Sequence, residues 1–115
     1  MTVEIWHNPR CSKSRATLAL LREHGIEPKV RLYLEDPPTR EELEEVLALL
    51  GRKPSELVRR KEAAFRERGL DASSSEDAIL DAMVAEPRLI ERPIVLAGDA
   101  AVVGRPPENV RKLLR

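Results

Sequence analysis

The sequence predicts an α/β fold: a mixed four-stranded sheet with an all-helical insert between the second and third strands. Three observations carry that prediction. A strand, helix and strand occupy about the first thirty-five positions. A block near 39–86 keeps helical periodicity throughout, and two short apolar runs after it are joined by a Gly-Asp turn.

Taken in order, residues 2–6 read T-V-E-I-W and alternate with period two, the mark of a strand with one buried face. The loop HNPRCSKSR follows. Ala16, Leu18, Leu20 and Leu21 then recur on a helix that Gly25 should end, because glycine accepts the left-handed conformation of a helix C-terminus. Val30, Leu32 and Leu34 alternate with Lys29, Arg31 and Tyr33 in a second strand. A β-α-β run of this length implies a parallel pair with a right-handed crossover.

Pro37-Pro38 breaks the second strand, and Thr39-Arg-Glu-Glu42 is a capping box. Leu43, Val46, Leu47 and Leu50 continue at helical spacing up to Gly51. Pro54 to Arg68 reads as one or two short helices ending at Gly69. Ser73-Ser-Ser-Glu76 signals a further cap, before a helix with Ile79, Leu80, Met83 and Val84 on one face and Pro87 as its stop. Pro93–Leu96 and Ala100–Val103 flank Gly98-Asp99 as an antiparallel hairpin. Pro106-Pro107 then leads into a last helix with Val110, Leu113 and Leu114. The order β-α-β, helical insert, β-β-α is that of a thioredoxin-like sheet. Residues 1–115 are expected to form a single such domain.

Composition narrows the function classes. Lys+Arg and Asp+Glu balance at 20 each, so no overall field draws the chain to nucleic acid or an anionic membrane. No apolar run reaches the length of a membrane span, and no secretory signal opens the chain. One cysteine excludes an intrachain disulfide and suits a reducing, cytoplasmic setting. Low aromatic content and abundant charge fit a monomer, and nothing suggests a metal site or a bound cofactor.

That cysteine, Cys11, lies where a C-x-x-C motif would begin, with Ser14 in the second position. From Asn8 to Arg15 only Pro9 is apolar, which favours a reactive thiol over a buried hydrophobe. The strand-to-helix turn, the basic residues Arg10, Lys13 and Arg15, and a Ser14 hydroxyl aimed at the sulfur would all favour the thiolate. His7 either adds a donor or braces the loop; His24, beside Gly25, reads as a helix-dipole partner. An oxidised Cys11 has no internal resolving thiol, so turnover needs an external one.

The run His7-Asn-Pro-x-Cys11-x-x-Ser14-Arg15 resembles the active-site loop of glutaredoxin-coupled arsenate reductases, a group that includes Spx-type regulators. Tyr33-Leu34-Glu35-x-Pro-Pro38-Thr39, Leu57-Val58-Arg59, Glu91-Arg92-Pro93-Ile94-Val95 and Gly104-Arg105-Pro106-Pro107-Glu108 match the same family in order, from about residue 3 to residue 110. The resemblance implies arsenate reduction to arsenite in arsenic detoxification. In that reading the Cys11 thiolate forms an arsenate adduct, Arg59, Arg92 and Arg105 bind the oxyanion, and His7 and Ser14 lower the thiol pKa. Asn8, Arg15 and Pro93 support the site, with Pro93 expected in the cis form, and glutathione and glutaredoxin supply the electrons.

Fifteen of the twenty basic residues are Arg, so any single one is weak evidence by itself, and Arg60 adjoins Arg59. A converging set is different, because the guanidinium fork matches a tetrahedral oxyanion. Two other readings stay open: an Spx-like regulator acting on RNA polymerase, and a thiol carrier of unknown substrate. Ser14 removes the C-x-x-C switch that the first uses, and a carrier has little need of three arginines.

Overall fold

A computed structural model describes residues 2–114; Met1 and Arg115, the ends of the expected domain, lie outside the described residues. The fold class is as predicted. Strands β1 (Val3–Trp6), β2 (Lys29–Arg31), β3 (Ile94–Ala97) and β4 (Ala100–Val103) form one sheet in the order β2-β1-β3-β4. β1 pairs parallel with β2, Ile5 opposite Val30, and antiparallel with β3, Ile5 opposite Val95. The β3–β4 pair is the expected hairpin, with Gly98 at φ +62° in its turn.

The chain divides into two compact units. One holds the sheet, the helix α1 (Ser12–Glu23) and a C-terminal 3-10 helix, Pro107–Leu113. Its core is Val3, Ile5, Leu21, Val95, Val110 and Leu113, so the inward residues of β1 and β3 meet α1 and the C-terminal helix on one side of the sheet.

The second unit, Pro37–Glu91, contains α2 (Arg40–Leu50), α3 (Pro54–Leu57), α4 (Ala63–Glu67) and α5 (Glu76–Ala85), followed by a 3-10 turn at Pro87–Leu89. Thr39 and Glu42 form the capping box read from the sequence, and Gly51 closes α2 in the left-handed region. α5 packs on α2 and α3, burying Leu43, Leu47, Leu57, Ile79 and Met83. Arg40 bridges α2 to α5 through Asp77 and Asp81. One isolated antiparallel bridge, Val58 with Ile90, interrupts an otherwise helical unit.

Five local expectations are corrected. β2 ends at Arg31 and does not run through Leu34, because the Leu32 carbonyl accepts the Glu35 and Asp36 amides and turns the chain. Its apolar alternation does not mark a buried face: Val30, Leu32 and Leu34 are exposed, and the intervening Tyr33 is buried. The cap of α5 is Ser75, which accepts the Ala78 amide; Ser73 binds Asp71 instead. The last helix is 3-10 in form, and α1 turns Ser14, Thr17 and Leu21 inward while Ala16 faces out. Among the described residues no helix is long and apolar enough to cross a membrane.

Candidate active site

Cys11 is the N-cap residue of α1, at φ −96° and ψ 122°, where the chain leaves β1 and enters the helix. Asn8 builds the loop that delivers it. Its carbonyl accepts the Cys11 amide at 3.0 Å, its side-chain Oδ1 accepts the Arg10 amide at 3.0 Å, and its own N–H donates to Ser14 Oγ at 3.0 Å. Arg15 clasps the same loop by donating from its guanidinium to the Pro9 carbonyl at 2.8 Å. Asn8 and Arg15 thus shape the loop through hydrogen bonds to its backbone and to Ser14.

The sulfur is nearly buried, and desolvation by itself would push its pKa up. The net direction is down. The Ser14 backbone N–H, the Arg92 charge, the Lys13 backbone N–H and the Arg105 guanidinium together outweigh burial. Cys11 makes no full capping hydrogen bond, yet the first-turn amides of α1 face its sulfur and favour the anion. Arg105 Nη1 stands 3.8 Å from Cys11 Sγ and also donates to the Arg92 carbonyl at 3.2 Å, which ties the two arginine-bearing segments together at the thiol.

Ser14 acts differently from the sequence expectation. Its hydroxyl is fully buried and lies 2.6 Å from His7 Nδ1 while accepting the Asn8 amide; the contribution of Ser14 to the sulfur comes from its backbone. His7 is also buried, and desolvation, with Arg22 and Arg15 nearby, holds its pKa below the ordinary value. A neutral His7 lends the thiolate no charge. With Ser14 as its ring partner it braces the strand-to-helix turn.

Pro93 follows Arg92 through a cis peptide, as the resemblance implied, and its carbonyl accepts the Gly104 amide at 2.9 Å. Arg59 belongs to the Pro37–Glu91 unit, where its guanidinium pairs with Glu62 at 3.0 Å and approaches Glu91 at 4.0 Å. The structure thus brings Cys11, Arg92 and Arg105 together, with His7, Ser14 and Asn8 bracing them, and sets Arg59 among acidic partners.

Two positioning residues escaped the sequence reading. Thr17 is fully buried and donates to the Lys13 carbonyl at 2.8 Å and the Gly104 carbonyl at 3.3 Å, joining α1 to the residue before Arg105. Gly104 is required by crowding: a Cβ there would lie 2.5 Å from Thr17 Oγ1 and 2.8 Å from Pro93 Cγ. A polar residue three places after Ser14, on the inward stripe of α1, was the available signal. Among the described residues no group of three His, Cys, Asp or Glu side chains is placed to hold a metal ion.

Comparison with known proteins identifies the family. The ArsC family model matches residues 6–113. The chain is 52% identical over 114 residues to the uncharacterized protein YfgD of Escherichia coli K12, covering 97% of this chain and 96% of that one. It is 46% identical to an arsenate reductase of Neisseria meningitidis, covering 97% of each. The structure of an arsenate reductase from Vibrio cholerae superposes with a TM-score of 0.93 at 48% identity, over 98% of both chains. The family model over residues 6–113, together with relatives 46–52% identical over nearly the whole chain, places the chain in the ArsC family.

Proposed function

We propose that this chain reduces arsenate to arsenite with Cys11 as the nucleophile. The observation that carries the reading is the Arg105 guanidinium 3.8 Å from Cys11 Sγ, with the Arg92 charge acting on the same sulfur. Paired guanidiniums stabilise a thiolate in the resting protein and offer forked donors to a tetrahedral oxyanion. The arsenate reductases at 46–47% identity support the substrate assignment.

In the proposed reaction the Cys11 thiolate attacks arsenic and one arsenate oxygen leaves as water. Arg92 and Arg105 hold the remaining oxygens. A glutathione thiol then completes the two-electron reduction. Arsenic passes from the +5 to the +3 state, arsenite departs, and the two sulfurs are joined as a Cys11–glutathione disulfide. Glutaredoxin returns Cys11 to the thiolate by disulfide exchange. No second cysteine is available to do this within the chain.

Arsenate-dependent NADPH oxidation, coupled through glutathione, glutathione reductase and glutaredoxin, tests the reading. Wild-type protein should show a rate that Cys11→Ser abolishes. A wild-type protein with no arsenate-dependent rate would refute it.

A further inference from the structure

We propose that the exposed apolar segment Val30–Leu34, together with the depression joining it to the Cys11 loop, is the docking surface for the protein that re-reduces Cys11. Among the described residues only four large hydrophobic side chains are exposed, and three of them, Val30, Leu32 and Leu34, fall within five positions of one another. Two of these, Leu32 and Leu34, line a depression of about 220 Å3 whose other wall is Pro9 and Arg10, the residues immediately before the nucleophile, with Glu35 at its rim.

The location matters as much as the exposure. β2 is an edge of the sheet and only three residues long, and the chain turns at Leu32 directly after it. Apolar side chains held out at a sheet edge are a liability unless something covers them. The occupant has to carry a thiol, because the lone Cys11 can be regenerated only by a sulfur that reaches it from another molecule. A small thiol needs no apolar surface to do so; a protein thiol does, to hold its sulfur in line with the glutathione sulfur carried on a nearly buried Cys11. The surface therefore fits a thiol-reducing protein with an apolar rim around its nucleophilic cysteine and an acidic side chain to meet the exposed Arg10.

The exchange balances simply. The partner thiolate attacks the outer sulfur of the Cys11–glutathione disulfide, that S–S bond breaks, Cys11 leaves as thiolate, and the glutathionyl group passes to the partner. The docking surface rests on the proposed need for an external thiol carrier, but it does not depend on arsenate being the substrate.

For that reason the test starts from the protein already carrying glutathione on Cys11, with no arsenate present. Reduction is followed with a dithiol glutaredoxin and, in parallel, with dithiothreitol, for wild type, the double variant Leu32→Ser/Leu34→Ser, and the exposed control Leu49→Ser. The expected result is a tenfold or greater fall in the glutaredoxin rate for the double variant only, with dithiothreitol rates equal throughout. Equal glutaredoxin rates in wild type and double variant, or equal slowing with dithiothreitol, would overturn the proposal. A wild-type dimer in sedimentation that the double variant loses would assign the surface to a second copy of this chain and overturn it as well.

Discussion

The Ser14 hydroxyl lies 2.6 Å from His7 Nδ1 and accepts the Asn8 amide, while the backbone N–H of Ser14 serves the Cys11 sulfur. One residue thereby does two separable jobs. Ser14→Ala keeps the backbone donor and removes the brace, so alkylation of Cys11 at neutral pH should slow less than in Arg92→Ala. Global stability should fall by about 1–3 kcal/mol, because buried polar groups of His7 and Asn8 lose their partner. Iodoacetamide rates against pH, with chemical denaturation of the same variants, separate the two effects.

The Cys11 pKa is held below the ordinary thiol value by the first-turn amides and the Arg92 and Arg105 charges, against the opposing effect of burial. Arg92→Ala and Arg105→Ala should each raise it, and added salt should do the same in wild type by screening the exposed part of the charge. If these side chains also bind the oxyanion, kcat/KM for arsenate should fall about tenfold to a hundredfold in each, matching one charge-assisted hydrogen bond of about 1.5–3 kcal/mol. Arg105→Lys, which keeps the charge and loses the fork, should preserve the alkylation profile better than the kinetics.

His7 gives the fold a defined acid sensitivity. Its pKa is depressed below 6.5 in the folded chain, so between 6.5 and that lower value the unfolded chain binds the proton and the folded one does not. Stability is then fully present above pH 6.5 and is lost progressively as the pH falls toward the folded value. His7→Gln should flatten that part of the stability profile. Denaturant midpoints between pH 7 and pH 5 give the comparison.

Gly104→Ala should destabilise the protein by about 1–3 kcal/mol, since the added methyl meets Thr17 and Pro93 inside van der Waals contact. Cys11 reactivity should drop with it, because relief of the clash moves the chain that carries Arg105. Pairing it with Thr17→Ser, which removes the methyl that a Cβ would meet at 3.0 Å and keeps the hydroxyl, should recover part of the lost stability.

Much of this was legible in the one-dimensional pattern. The Thr39–Glu42 box, the Gly51 and Gly25 stops and the Gly98-Asp99 turn are local devices, and each appears where its chemistry predicted. β2 misled because period-two alternation reports a strand-like face without saying whether that face meets a core or solvent; at a sheet edge it met solvent.

The amino-acid order alone determined the sheet, the helical insert and the placing of a single thiol at a strand-to-helix turn. These follow from neighbours along the chain and from counting. Tertiary structure alone decided which groups act on that thiol. Arg92 and Arg105 lie more than eighty positions from Cys11 and reach it only because β3 pairs with β1 and the β4 end folds back on α1. Arg15, expected from the sequence to favour the thiolate, spends its guanidinium on the Pro9 carbonyl, and the Ser14 hydroxyl goes to His7. Proximity in sequence sets what is near a loop; the direction of each side chain is set by the backbone acceptors the fold brings beside it.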